Sequence, residues 1–323
     1  MINKQIKLRQ LGQTDIQISP IGLGCWQFSD GRAGATGTWD PVSEEETEGI
    51  VQAALEGGIN WFDTAELYGN GRSERAIARA LKLAGKTNDE VIIATKWNPI
   101  GRTARSITGT IGNRQECLDG YSIDLYQIHG PMSFATRRSE MNAMADLVES
   151  GKIRSIGISN YNAQQMRLAN DVLLSRGMRL ASNQVKYSLL DRRIESNGVL
   201  DSARELGITI IAYSPLEMGL LTGKFHKNPE LLTSRPFLRR NQLRRKIEKS
   251  RELVTALEEI ALTHEVTASQ VALNWMITFH GETIVAIPGA SKVRHAEQNV
   301  GAMTFTLSKA ELAQLDELSQ PFK

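Results

Sequence analysis

Residues 43–63 read SEEETEGIVQAALEGGINWFD, and they contain one whole unit of the fold. Ser43 and Glu46 have the spacing of a capping box, which predicts a helix beginning there. Ile50, Val51, Ala54 and Leu55 then fall on one helical face. Gly57 and Gly58 stop the helix. A short apolar run, 59–62, follows as a buried strand and ends at Asp63.

The same unit recurs along the chain. Helices at 72–84, 103–118, 136–149, 162–175 and 196–206 precede strands at 91–95, 123–128, 153–158, 180–185 and 208–213. A helical pair within 248–280 precedes a strand at 283–287, and a helix at 292–300 follows. With 20–24 at the front, there are eight strands. They are continuous apolar runs, VIIAT at 91–95 and ITIIAY at 208–213, as expected of parallel strands covered on both faces. Eight βα units predict a closed (β/α)8 TIM barrel of the α/β class. Residues 5–18 break the repeat. Gly12–Asp15 reads as a turn between two short runs, so a β-hairpin should close one end of the barrel. Residues 308–318 read as an extra C-terminal helix.

Composition narrows the function. In 323 residues, 38 Lys and Arg face 36 Asp and Glu, a net charge of +2. That balance gives no reason to expect a nucleic-acid or membrane partner. The basic run at 235–249 reads as a solvated loop and helix face. Cys25 and Cys117 have no CxxC partner and read as reduced thiols of a cytoplasmic protein. The N-terminus lacks an apolar signal region, and no stretch reaches the ~18 apolar residues of a spanning helix. There is no linker or composition break, so residues 1–323 are expected to form a single domain. Two connections are long, 27–42 and 214–247, and long loops on one face of a rigid scaffold are where binding concentrates.

The strand ends carry the chemistry. Asp63 ends the second strand, Lys96 the third and His129 the fourth, with Tyr68 in the loop just after Asp63. Taken singly, each has a bland reading as a cap, a snorkelling cation, a turn residue or rim packing. In a parallel barrel, however, all these ends meet at one rim. A Tyr hydroxyl at its usual pKa of ~10 is a poor acid at neutral pH, and a nearby Lys cation should make it a better donor. Asp63 would keep Lys96 in place and charged. A neutral His129 would orient a carbonyl oxygen. Together they form a device for protonating a developing oxyanion.

The chain resembles an aldo-keto reductase of the NADP-dependent, bacterial type over nearly its whole length. The resemblance rests on IGLGCW at 21–26, FDTAELYG at 62–69, ATKW at 94–97 and DLYQIHGP at 124–131. It continues through GKIRSIGISN at 151–160, NQVKYSLL at 183–190, AYSPL at 212–216 and IPGASK at 287–292. It implies reduction of aldehydes or ketones to alcohols by NADP(H), with Tyr68 as general acid assisted by Lys96 and Asp63 and with His129 orienting the substrate. It also implies that Ser159, Asn160 and Gln184 bind the nicotinamide carboxamide and that Tyr213 stacks on the ring. Ser214, Leu216 and Gly219 would line the pyrophosphate. Ser291 and Lys292, with Gln298 and Asn299, would hold the adenosine end. Trp26, Phe28, Trp39 and Trp97 are candidate walls of the substrate pocket, although ordinary packing explains them equally well. Gly130 stands where many relatives carry Trp, next to where substrate would lie.

No G-x-G-x-x-G follows a strand, so the dinucleotide solution of open α/β sheets is absent. No His, Cys or Asp cluster has metal-ligand spacing. After the last strand, Ser291, Lys292, Arg294 and His295 sit at a helix start with no acidic residue between 288 and 296, a setting that favours the 2′-phosphate of NADPH. A small-molecule carbonyl is the expected partner, and a monomer the expected state. Two other readings remain at this level. One is a barrel aldolase using Lys96 as a Schiff-base nucleophile, opposed by Tyr68 and the nicotinamide-site residues. The other is a cofactor-binding channel-subunit-like protein with weak turnover, opposed by the intact tetrad.

Overall fold

The computed structural model describes residues 6–29, 41–232 and 244–323. A two-stranded antiparallel hairpin, β1 (Arg9–Gln10) and β2 (Gln17–Ile18), comes first. Eight parallel strands follow in chain order: β3 (Leu23–Gly24), β4 (Trp61–Asp63), β5 (Ile92–Trp97), β6 (Leu125–Ile128), β7 (Ser155–Ser159), β8 (Leu180–Lys186), β9 (Thr209–Tyr213) and β10 (Ile284–Ala286). The ring closes between its ends. Gly22 donates to the Ala286 carbonyl at 2.9 Å, Gly24 donates to Pro288 at 3.1 Å, and Ala286 donates to Pro20 at 3.0 Å. The expected (β/α)8 barrel, with its hairpin and C-terminal helix, is what forms.

Helix α1 spans Glu44–Glu56, α2 Arg72–Leu83, α3 Arg105–Cys117, α4 Arg137–Glu149, α5 Ala163–Leu174 and α6 Val199–Leu206. Each lies within a few residues of its expected range, because the apolar stripe and the stop signals are local. Only half of the expected capping box forms at α1. The Glu46 amide donates to Ser43 Oγ at 3.1 Å, but the Glu46 carboxylate goes elsewhere. Helices Arg251–Thr263 and Ala268–Thr278 form the expected pair, and Lys309–Ser319 is the extra C-terminal helix.

Two apolar cores result. The larger lies between sheet and helices. The smaller fills the barrel: Trp61, Ala94, Leu125, Ala181, Ile211 and Val285 point inward and meet Leu11, Ile16 and Ile18 of the hairpin. Burying each of the larger aliphatic side chains contributes ~1.5–3 kcal/mol, which holds the hairpin as a plug in the barrel floor. Gly12 is required there. Its φ is +56°, and a Cβ would stand 2.4 Å from the Ala181 carbonyl oxygen of β8.

Strand alternation then assigns the opposite rim. Two residues beyond Trp61 on the same face is Asp63. Two beyond Ala94 is Lys96, and two and four beyond Leu125 are Gln127 and His129. One inward row is therefore apolar at the plugged end and polar at the open end. Among the described residues, no helix is long and apolar enough to cross a membrane.

Candidate active site

At the open rim lies a cleft of about 920 Å³. Asp63, Tyr68 and His129 line one part of it, with Lys96 directly behind. Lys96 is fully buried, and all three of its ammonium donors are used. They reach Asp63 Oδ1 at 2.5 Å, the Thr64 carbonyl at 2.9 Å and the Tyr68 hydroxyl at 3.4 Å. Burial works against the ammonium, yet Asp63, and after it Tyr68, outweigh burial and hold the Lys96 pKa above its usual value.

Tyr68 corrects one expectation. Burial of the hydroxyl raises the phenol pKa by more than Lys96 lowers it, so the net direction is upward. Tyr68 thus keeps its proton across neutral pH, and the cation opposite it matters once that proton leaves. His129 meets the Tyr68 ring edge to face, with centroids 5.7 Å apart and planes at 77°. Burial, then Lys96, push the His129 pKa down to about 3, so the ring is neutral at pH 7. Its Nδ1 is buried without a hydrogen-bond partner among the described residues.

The second Asp63 oxygen is held as well. Gln127 Nε2 donates to Oδ2 at 3.1 Å, and Gln184 Nε2 donates to the same atom at 2.8 Å. Gln184, expected at the cofactor carboxamide, lines the cleft while also bonding Asp63. Gln127 is a residue that sequence reasoning missed. In sequence it is one polar residue within an apolar strand, and only the alternation from Leu125 to His129 could have flagged it.

Ser159, Asn160 and Tyr213 stand beside Gln184. Ser159 Oγ donates to the Gln184 carbonyl at 2.9 Å, Asn160 Nδ2 to Ser159 Oγ at 3.0 Å, and the Tyr213 hydroxyl to Asn160 Oδ1 at 3.0 Å. Ser214, Leu216 and Gly219 line the next part of the cleft. Glu217 in that loop is a second residue that sequence reasoning missed, and nothing in the sequence marks it. It is buried and pairs with Lys186 at 3.0 Å and with Lys246, pinning a turn in which Ser214, Glu217 and Met218 all have positive φ.

The far end departs from expectation. Ser291, Gln298 and Asn299 line the cleft, together with Arg294, His295 and Lys224. Lys292 does not. It points out to Glu46 of α1, with Nζ 3.1 Å from Oε2, while Glu46 Oε1 accepts the Val293 amide at 2.9 Å. A carboxylate from 247 residues away in sequence therefore already caps the helix Val293–Gly301, whose start is expected from sequence to favour the phosphate. Lys292 holds that carboxylate below its usual pKa range, the Val293 amide adding to the effect.

Of the four aromatic residues, Trp26 lines the cleft. Phe28 and Trp97 lie in the sheet–helix core, away from the cleft lining, and Trp97 Nε1 donates to Ser106 Oγ at 3.2 Å. Trp97 points outward because Lys96, its neighbour on the strand, points inward. Trp39 and the 30–40 stretch of its loop lie outside the described residues, as do 235–243 of the basic run.

The sequence model described as "Aldo/keto reductase family" matches residues 20–320. The chain is 36% identical over 317 residues to a protein named pyridoxal reductase, chloroplastic, of Arabidopsis thaliana, covering 93% of this chain and 83% of the relative. It superposes with a TM-score of 0.75 and 30% identity on a thermostable aldo-keto reductase, Tm1743, solved with the inhibitor epalrestat, covering 97% of this chain and 100% of the other. A Klebsiella pneumoniae aldo/keto reductase solved with NADP and acetate gives a TM-score of 0.73 at 26% identity, covering 97% and 95%.

Proposed function

Since this chain belongs to the aldo/keto reductase family and is thus an NAD(P)H-dependent oxidoreductase, we propose that it reduces aldehydes or ketones to alcohols with NADPH, using Tyr68 as the general acid. The observation that carries the reading is a phenol at the cleft wall, 3.4 Å from a buried lysine ammonium and meeting a histidine ring edge to face.

The residues at hand suit a dinucleotide. Asn299 Nδ2 is buried without a partner among the described residues, and Arg294, His295 and Lys224 supply cationic or donor groups at the same end. Ser159, Asn160, Gln184 and Tyr213 would hold the nicotinamide, Ser214, Leu216 and Gly219 the pyrophosphate, and Ser291, Gln298 and Asn299 the adenosine. Arg294 rather than Lys292 would meet the 2′-phosphate. When bound, NADPH supplies the hydride.

The chain's own part is proton management. His129, neutral, orients the carbonyl oxygen by a hydrogen bond. Tyr68 gives that oxygen its proton as negative charge develops there. The phenolate left behind lies 3.4 Å from Lys96 Nζ, which stabilises it until solvent restores the proton. Asp63 transfers no proton; it keeps Lys96 charged and aimed.

The test is a carbonyl panel with NADPH that includes pyridoxal, after the name of the Arabidopsis relative. Tyr68→Phe should lower turnover ~10²-fold or more, with NADPH affinity little changed. Near-normal turnover in that variant would sink the mechanism.

A further inference from the structure

Gln127 is fully buried on β6, two residues before His129, and it is absent from the cleft wall. It cannot touch substrate. Its amide donates to Asp63 Oδ2 at 3.1 Å, and its carbonyl oxygen accepts from Gln184 Nε2 at 3.4 Å. Space for it is built in. Gly157, on the neighbouring strand β7, faces it, and a Cβ there would stand 2.8 Å from Gln127 Cγ. An apolar residue would fill the barrel at this level without help, as Leu125 does one layer below. A buried amide needs partners, and this one has found the carboxylate at the base of the proton relay.

We propose that Gln127 is a positioning residue: it fixes Asp63 Oδ2 so that Oδ1 stays on Lys96 and keeps the ammonium behind Tyr68 charged. The proposal rests on the reading of Tyr68 as acid. Gln184 makes the same bond, but it also lines the cleft beside Ser159 and Asn160. Gln127 has no cleft face, so its hold on Asp63 does not depend on what the cleft contains. With Gln127 gone, Gln184 alone holds Oδ2, so Asp63 is less firmly fixed, Lys96 loses part of its alignment with its counter-charge, and burial then shifts the balance toward the neutral amine.

The experiment uses the full chain with NADPH and 4-nitrobenzaldehyde, comparing Gln127→Met and Gln127→Glu with wild type. For the Met variant, kcat should fall about tenfold, the scale of one hydrogen bond to a charged acceptor. KM and the NADPH dissociation constant, read by fluorescence, should stay within about twofold. The basic limb of the kcat profile should move to lower pH, because Lys96 loses its proton sooner. The Glu variant should be impaired at neutral pH and recover as pH falls and its carboxyl becomes a donor. If the Met variant does not fold, the Glu profile alone decides. A lower kcat with an unmoved basic limb would reduce Gln127 to packing, and a Glu variant indistinguishable from wild type at neutral pH would overturn the proposal. Tyr68→Phe separates the two levels: if it keeps its turnover, the reading of the acid fails first; if it loses turnover while Gln127→Met keeps its own, Gln127 alone is wrong.

Discussion

The two ends of the cleft are built on different principles. At the end around Tyr68, Asp63, Lys96, Gln127 and His129 stand at adjacent strand ends, and Lys96 and Gln127 both bond Asp63 inside the barrel. At the opposite end, around Ser291, the polar residues stand on a loop and the first turns of one surface helix. There a single foreign carboxylate, Glu46, takes both the Lys292 ammonium and the free amide of Val293. Strand register decides which face a side chain takes, whereas an exposed helix start is open to whichever neighbour packs nearby.

Substitutions at each end sharpen the contrast. The largest effect after loss of the phenol should come from Asp63→Asn. It leaves Lys96 buried without its counter-charge, and breaking such a pair costs ~3–5 kcal/mol of stability. Turnover per folded molecule should drop sharply, with the basic limb of the kcat profile moving to lower pH as Lys96 loses the support that outweighs burial. A variant that melts earlier but turns over normally once folded would make Asp63 purely structural.

Arg294→Ala should come next. It should lower the preference for NADPH over NADH about tenfold, the scale of a charge-assisted contact. Lys292→Ala should change that ratio far less, since Lys292 is turned toward Glu46. The comparison is a set of kcat/KM values for both cofactors, and the reverse ranking of the two variants would restore Lys292 to the site. Glu46→Gln should act in the opposite sense, raising NADPH preference a few-fold by removing a negative charge from the helix start. A fall in that preference would show the capping carboxylate to be needed for the helix itself.

The smallest expected effect is none. His129, pushed down to about 3, should stay neutral from pH 5 to 8 and add no inflection near ~6.5 to the rate profile. For stability the sign follows from linkage. The unfolded chain takes up this proton below about 6.5, while the folded chain refuses it until about 3. The His129 contribution is therefore complete above about 6.5 and erodes as pH falls through that window. NMR of the imidazole protons would show an ordinary titration near ~6.5 if the ring were less enclosed.

Sequence by itself determined the eight strands, the helices between them, the hairpin and the rim on which Asp63, Tyr68, Lys96 and His129 meet. These follow from periodicity, stop signals and alternation, which act over a few residues and survive without knowledge of the rest of the chain. The tertiary structure decided what depends on distance through space. The Gln127–Asp63 bond joins residues 64 apart, and the Lys292–Glu46 contact joins residues 246 apart. The outward turn of Trp97 and the upward net shift of Tyr68 belong to the same class. Burial and Coulomb attraction compete at each of these places, and their balance is set by barrel closure and by which helix packs beside which, neither of which a local pattern contains.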